Sequence, residues 1–449
     1  MKIIVVGAGE VGFHLAKMLS NENHDIVVIE DNQENCLKAQ ENLDVIAIQG
    51  NGASIEKLIE AGVKNADMLI AVSNSDEVNI VSCILANKFG VKKKVARVRN
   101  PEYTSKDALI TPEQLGIDMM IHPEEEAAAE IIRLIKRSSA TDVIDYQKEG
   151  VQILGIRIDS RNASIVGKPL SEVTKEFSNI IFRTVAIYRN GRTIIPKGKD
   201  LIFYKDQIFI IAKVEYIDAV LKLVGKEDEK INSLMILGGG KIGRLVATEL
   251  EKMKDMDIKL IESDKEKSQI IADQLSRTLV IQGDGRDIDL LATEGLSEMD
   301  AFVALTNDDE DNLISSLLAK HLGVKRVLAL INKFEYIPII NSIGLDAAIS
   351  EKVTTVDAIL RFIRRGNVIS VATLKEIDAE VMEIVAQEGS PIANKQLKET
   401  GFPNSAIVGA IFRDSEVIIP IGTSRIEPND KVIVFALPEA IPKVEKYFS

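Results

Sequence analysis

The chain opens with Lys2-Ile3-Ile4-Val5-Val6-Gly7-Ala8-Gly9-Glu10-Val11-Gly12, a β-branched run that empties into G-x-G-x-x-G. A helical pattern, Phe13-His14-Leu15-Ala16-Lys17-Met18-Leu19, follows at once. Strand, tight glycine turn and helix start, in that order, are the context that a dinucleotide-binding motif requires. Gly7 permits the turn, Gly9 lets the backbone approach a pyrophosphate, and Gly12 lets the helix pack closely on the strand. The helix N-terminus then presents N–H groups and a partial positive charge to phosphate. The next strand, Asp25-Ile26-Val27-Val28-Ile29, ends in Glu30, placed to accept from ribose hydroxyls. A carboxylate there repels a 2′-phosphate, which favours NAD or an adenine nucleotide over NADP.

The stretch returns. Leu234-Met235-Ile236-Leu237-Gly238-Gly239-Gly240-Lys241-Ile242-Gly243 repeats strand, turn and helix start, and Glu262 closes the following strand as Glu30 closes its own. Gly238 stands 231 residues after Gly7, and later landmarks keep nearly that offset. Gln49-Gly50-Asn51-Gly52 answers Gln282-Gly283-Asp284-Gly285. Ser73-Asn74-Ser75-Asp76-Glu77 answers Thr306-Asn307-Asp308-Asp309-Glu310. The chain is an internal duplication.

Alternation of strand and helix from residue 1 predicts a parallel sheet covered on both faces. Strands are expected at 3–6, 26–30, 45–48, 68–72, 95–98 and 119–121. Helices are expected near 11–21, 32–42, 54–61, 76–89 and 104–115. Asn51, Ser73 and Asn74 then fall at carboxyl ends of strands, the edge where open α/β sheets bind ligands. Asp284, Thr306 and Asn307 recur there in the second copy. The competing reading is ordinary turn chemistry. Arg97 ends the fifth strand on the same edge, within reach of a nucleotide phosphate or in a surface salt bridge. Its counterpart run, Val327-Leu328-Ala329-Leu330-Ile331-Asn332, has no arginine. Glu10 against Lys241, with Arg244 just after the second motif, predicts a stronger preference for ATP over ADP in the second copy.

From Asp142 to about residue 225 short strands replace the alternation, with a hairpin signal at Asn190-Gly191-Arg192 and a short edge strand at Ile194-Ile195-Pro196. This block also returns: Ala186-Ile187-Tyr188-Arg189-Asn190 matches Ala410-Ile411-Phe412-Arg413-Asp414. A charged linker, Lys226-Glu227-Asp228-Glu229-Lys230, separates the halves. The expected boundaries are 1–137, 138–225, 231–365 and 366–449, large α/β alternating with small α+β. The isolated halves, cut within 226–230, are each expected to fold.

At 449 residues the chain holds two to four domains. The formal charge of −13 disfavours nucleic acid as the main partner, because phosphate neutralisation needs clustered Lys and Arg. The basic runs Lys92-Lys93-Lys94 and Arg361, Arg364, Arg365 read as solvated faces. Two cysteines, Cys36 and Cys83, without a CxxC, fit a reducing compartment. The opening strand leaves no place for a signal peptide, and no run approaches the length of a membrane span. His14, His24, His122 and His321 are scattered, and no HExxH or P-loop occurs. The motif therefore reads as a sensor site and not a turnover site, with no catalytic residues and no metal ligands.

This arrangement resembles the RCK (KTN) regulatory subunits of Trk potassium-uptake systems, over essentially the whole chain. The carriers are the two glycine motifs with Glu30 and Glu262, the Thr306-to-Glu310 run, and above all the duplicated order. The resemblance implies a duplicated Rossmann-like parallel-sheet α/β domain, each copy followed by a small α+β RCK-C domain. It implies nucleotide contacts at Gly7, Ala8, Gly9, Glu10, Val11, Gly12, Glu30, Asn51, Ser73, Asn74 and Arg97. In the second copy it implies them at Gly238, Gly239, Gly240, Lys241, Ile242, Gly243, Glu262, Asp284, Thr306 and Asn307. The ligands implied are NAD or NADH and ATP or ADP. The partners implied are a TrkH-type potassium-translocating membrane subunit and other copies of the chain in a ring. The protein is then cytoplasmic, peripheral on the inner face of the cell membrane. The rival readings are an NAD-dependent oxidoreductase and an RCK regulator of a different cation transporter.

Overall fold

A computed structural model of the chain describes residues 1–449 other than 23, 104–108, 147–149, 227–229, 334, 337–339, 364–367, 374–376, 378 and 415. Contacts group the chain into two compact units, Met1–Ala127 with Ser350–Phe362, and Ala128–Ile349 with Ile363–Ser449.

The first unit is built on six strands: β1 Lys2–Val6, β2 Asp25–Glu30, β3 Ile46–Gln49, β4 Met68–Ala71, β5 Lys93–Arg97 and β6 Met119–Ile121. They run parallel in the order β3-β2-β1-β4-β5-β6. The order reverses between β1 and β4, which makes the crevice above those two strands the expected ligand site of an open α/β sheet. β1 has its apolar residues Ile3 to Val6 buried on both faces, so it reads as a continuous hydrophobic run with no alternation. Full burial of each such side chain stabilises the fold by about 1.5–3 kcal/mol.

Helices α1 (Glu10–Asn21), α2 (Gln33–Asn42), α3 (Ile55–Glu60) and α4 (Asp76–Lys88) connect these strands. Side-chain caps set three of the starts: Asn32, Ser54 and Ser75 accept from the amides of Asn35, Lys57 and Val78. The helix expected over 104–115 is not formed in its described part, where 109–115 is bend and turn. Pro112 has no amide to give, and Gly116, at φ +71°, closes a single turn by donating to Glu113. Helix α5 (Pro123–Lys136) begins in this unit and continues into the second. The unit also includes a helix from far along the chain, residues 351–362, whose Lys352 pairs with Glu10.

In the second unit, β7 Asp142–Tyr146, β8 Val151–Arg157, β9 Phe182–Arg189, β10 Arg192–Ile194 and β11 Gln207–Lys213 form an antiparallel sheet ordered β10-β9-β11-β8-β7. Asn190 (φ +51°) and Gly191 (φ +76°) make the expected tight hairpin. The edge strand lies at Arg192–Ile194, two residues earlier than expected, because its pairing with β9 starts directly at the turn. Helices α6 (Leu170–Glu176) and α7 (Ile217–Leu223) accompany this sheet.

A second parallel sheet repeats the first: β12 Ser233–Leu237, β13 Asp257–Glu262, β14 Leu279–Gln282, β15 Ala301–Ala304, β16 Arg326–Leu330 and β17 Ala347–Ile349, ordered β14-β13-β12-β15-β16-β17. Its helices are α8 (Lys241–Leu250), α9 (Lys265–Gln274), α10 (Ile288–Thr293), α11 (Asp309–His321) and α12 (Ile340–Ile343), and α13 spans Glu351–Ile363. The end of α5 is held here, with Arg326 donating to the carbonyls of Leu134 (3.3 Å) and Ala140 (2.6 Å).

The last sheet, β18 Val368–Thr373, β19 Glu380–Val385, β20 Ala406–Arg413, β21 Glu416–Ile418 and β22 Lys431–Ala436, is ordered β18-β19-β22-β20-β21 and precedes α14 (Ile441–Phe448). The two antiparallel sheets share one apolar core, in which Val151, Phe209 and Ile211 meet Val381, Ile433 and Phe435. In each sheet an arginine forks onto a buried aspartate: Arg189 onto Asp206 and Arg413 onto Asp430.

Candidate nucleotide-binding clefts

Each parallel sheet carries a cleft over its switch point. The first, about 390 Å³, is lined by Gly7, Gly9, Glu30, Asp31, Asn35, Asn51, Ser73 and Asn74 among others. The second, about 270 Å³, is lined by Gly238, Gly240, Glu262, Lys267, Asp284, Arg286, Thr306, Asn307 and Asp311 among others. Of the residues expected from sequence, the structure gathers Gly7, Gly9, Glu30, Asn51, Ser73 and Asn74 on one cleft. It gathers Gly238, Gly240, Glu262, Asp284, Thr306 and Asn307 on the other.

The remaining expected residues do not line the clefts. Gly12 is there for packing: a Cβ on it would stand 1.9 Å from the Gly7 carbonyl oxygen, and one on Gly243 would stand 2.0 Å from that of Gly238. Val11 and Ile242 turn their side chains into the core. Ala8 and Gly239 contribute amides that donate to Glu30 and Glu262. Glu10 pairs with Lys352 at the exposed start of α1, Lys241 is exposed, and Arg244 turns to Gln274 (3.3 Å). The charge contrast expected between Glu10 and Lys241 is therefore not presented to the clefts. Arg97 lies behind the first cleft, its guanidinium donating to the Ser73 carbonyl at 3.5 Å while its Nε is buried without a partner. Burial, reinforced by Arg99, lowers its pKa. Arg99 itself turns away to Glu124 (2.9 Å) and Glu351 (3.6 Å).

Two residues not foreseen position the strand ends. Asn79, fully buried on α4, accepts from the amide (2.9 Å) and hydroxyl (2.7 Å) of Ser73 and donates to the carbonyls of Ser73 (3.0 Å) and Arg97 (2.9 Å). Asn312 makes the same four bonds with Thr306 and Leu330. The duplicated run carries the signal, since an asparagine stands six residues after Ser73 and after Thr306.

The carboxylates that close β2 and β13 differ electrostatically. Burial lifts Glu30 above the ordinary glutamate range, against the amides of Ala8 and Asn32, and neighbouring Asp31 adds to the rise. Burial pushes Glu262 the same way, but the Lys267 ammonium and the amides of Asp264 and Gly239 outweigh it and hold the group below that range. Arg286 forks onto Asp284 and brings that carboxyl down to about 2.

The residues present fit a dinucleotide or adenine nucleotide. A Cβ on Gly9 or Gly240 would meet no protein atom within 4 Å, so the bare backbone at these cleft-lining caps answers no packing need. Neither cap carries a side-chain hydrogen bond, leaving the first helical amides to the cleft. The buried Glu30 and Glu262 stand at the end of the second strand of each sheet, where dinucleotide-binding folds hold a ribose. No histidine lines either cleft. Among the described residues no cluster of His, Cys, Asp or Glu could hold a metal, and no helix is long and apolar enough to cross a membrane.

The TrkA-N domain family matches residues 3–123 and again 234–351, and the TrkA-C domain family matches 148–225 and 381–449. Trk system potassium uptake protein TrkA homolog 1 of Methanosarcina mazei is 36% identical, with both chains covered in full. The TrkA of Haemophilus influenzae is 36% identical over 100% of this chain and 98% of its own. That of Vibrio alginolyticus is 34% identical over 97% and 95%. The chain belongs to the TrkA family of Trk-system potassium uptake proteins. In fold it is similar to the GsuK channel bound to NAD, with a TM-score of 0.60 at 17% identity, covering 100% of this chain and 78% of that one. It is likewise similar to the GsuK RCK domain, with a TM-score of 0.60 at 17% identity over 100% and 94%.

Proposed function

We propose that this chain is a nucleotide-sensing regulatory subunit that gates a potassium-translocating membrane protein of the TrkH type. The observation that carries the reading is the duplicated cleft, each with a buried glutamate at the end of its second strand and bare helix amides, and with no histidine or cysteine among its lining residues. Full-length relatives named for Trk potassium uptake give the transported ion. The ligands are NAD(H) and the adenine nucleotides ATP and ADP, held by the cleft-lining residues and, from behind, by Arg97. The chain is not an enzyme. It works as a ring of copies, cytoplasmic and attached to the inner membrane face through its partner. Its functional blocks are 1–137, 138–225, 231–365 and 366–449.

A bound nucleotide shifts the ring between geometries by its difference in affinity for them. The test is potassium flux through a TrkH-type subunit reconstituted with this chain, titrated with NAD, NADH, ATP and ADP. Nucleotide-dependent flux supports the reading. Flux indifferent to both chain and nucleotide overturns it, and turnover of NADH with a small-molecule substrate would return the protein to the oxidoreductases.

A further inference from the structure

We infer that the second cleft accepts an adenosine bearing a 2′-phosphate, the NADP(H) class, which the first cleft rejects. The inference rests on the nucleotide reading of the clefts and adds the ligand class that separates them.

The difference lies where the ribose 2′-hydroxyl is held, at the end of the second strand of each sheet. In the first cleft Glu30 is followed by Asp31, and both line the cavity. The position five beyond Glu30 is the neutral Asn35. Two carboxylates and no ammonium face the sugar there. In the second cleft Ser263 replaces Asp31, and Lys267 replaces Asn35. The Lys267 ammonium reaches back onto Glu262, and the Ser263 hydroxyl donates to the same carboxylate at 3.3 Å. Arg286, also lining the cleft, is held by Asp284 (2.8 Å) and Asp311 (3.6 Å). Asp264 caps α9 by accepting from the Lys267 amide and does not line the cavity.

A 2′-phosphate entering the first cleft meets Glu30 and Asp31 with nothing to neutralise it. In the second, the carboxylate that would repel it is already paired, and the Lys267 side chain, nearly half exposed at 44%, can turn from Glu262 to the phosphate. A nearby cation is how dinucleotide folds accommodate a 2′-phosphate, and the Ser263 hydroxyl supplies a further donor.

Binding is read by calorimetry on the full chain with one cleft closed at a time. Gly9 and Gly240 are extended (φ −60° and −64°) with open space at Cβ, so Gly9→Val and Gly240→Val obstruct a cleft without strain. The Gly9→Val chain reports the second cleft, and the Gly240→Val chain reports the first. The probes are NAD, NADP, ADP and adenosine 2′,5′-bisphosphate. The NADP-to-NAD affinity ratio should be higher in the second cleft by about tenfold or more, the effect of one close charge at surface-like dielectric. Lys267→Gln should bring it down to the first cleft's value. In the reverse direction, Asp31→Ser with Asn35→Lys should raise the ratio in the first cleft, which keeps the test open should Lys267→Gln unfold. Equal ratios in the two clefts, or ratios unmoved by these substitutions while NAD still binds, overturn the inference alone. Binding of ADP to the second cleft without NADP or adenosine 2′,5′-bisphosphate also overturns the inference alone, and binding of none of the four probes overturns the nucleotide reading of that cleft with it.

Discussion

Asn79 ties Ser73 to Arg97: one fully buried side-chain amide accepts from Ser73 and donates to the carbonyls of both residues, across the ends of two adjacent parallel strands. The lip of the first cleft is thus set from behind by a helix, and Asn312 sets the second in the same way. Removing the amide leaves buried donors and acceptors without partners, at about 1–3 kcal/mol for each group so stranded. Asn79→Ala should therefore lower the stability of the chain by a few kcal/mol and weaken nucleotide binding in the first cleft. Denaturant unfolding and calorimetry read both effects. Unchanged stability would mean that water replaces the side chain.

Glu30→Ala should weaken nucleotide binding in the first cleft by about 1–3 kcal/mol, the cost of losing a hydrogen bond to a charged group. Titration of the Gly240→Val chain isolates the effect. An affinity equal to that of the parent, for NAD and for ADP alike, would contradict the ribose role.

The two buried glutamates that end β2 and β13 predict opposite responses to pH. Burial raises Glu30, so the native state holds its proton more tightly than the unfolded chain does. Its contribution therefore declines as pH rises from the ordinary glutamate value through the raised one. Glu262 is lowered despite its burial, chiefly through Lys267. Its contribution is present above the ordinary value and disappears as pH falls through the lowered one. Thermal unfolding between about pH 3 and 7 should show Glu30→Gln gaining stability at the upper end, while Glu262→Gln loses it there. Shifts of the same sign for both would refute the assignment.

Asp206→Ala should destabilise the protein by about 1–3 kcal/mol, because it removes a carboxylate only 2% exposed that accepts the forked bonds of Arg189, leaving that partly exposed guanidinium bonded to the Leu201 carbonyl. Asp206 also accepts from the Phe203 amide at 2.7 Å, so the loop before β11 should loosen with it. Urea unfolding and hydrogen exchange at that loop measure the two consequences. Asp430→Ala, its repeat, should match it within about 1 kcal/mol.

Proteolytic cleavage within 226–230 should leave the two halves associated. The first unit contains residues from both sides of that cut, 1–127 and 350–362. Gel filtration of the nicked protein without denaturant should give one peak, and two separate peaks would restore independent halves.

Much of this organisation is legible in sequence because glycine geometry is unforgiving. Gly7 sits at φ +97°, and a Cβ on it would come within 2.8 Å of the Ser73 backbone, so the motif, its repeat and the sheet order behind it can be read together. The cleft edge was legible for the same reason, with Ser73, Asn74, Thr306 and Asn307 at strand ends. What escaped depends on where long side chains turn. Lys267 looks like one more surface lysine on an amphipathic helix until its reach back to Glu262 is seen. Glu10 looked like a phosphate-facing charge because Lys352, its partner, lies more than three hundred residues away. The helix at 351–362 has no local mark of where it docks, since its periodicity records an apolar face and not the surface that covers it.

The membership of residues 350–362 in the first unit bears on how the protein is made. The ribosome releases the first six strands early, yet the helix that completes their unit emerges only after the intervening blocks have been translated. At roughly 5–20 residues per second that interval is on the order of 10–50 s. During that time the nascent first sheet lacks Lys352 beside Glu10 and Glu351 beside Arg99. The surface reserved for the late helix is thus open to chaperones, or to the same helix of a neighbouring nascent chain on one polysome. The order of synthesis makes the surroundings of Glu10 and Arg99 among the last parts of the first unit to be finished.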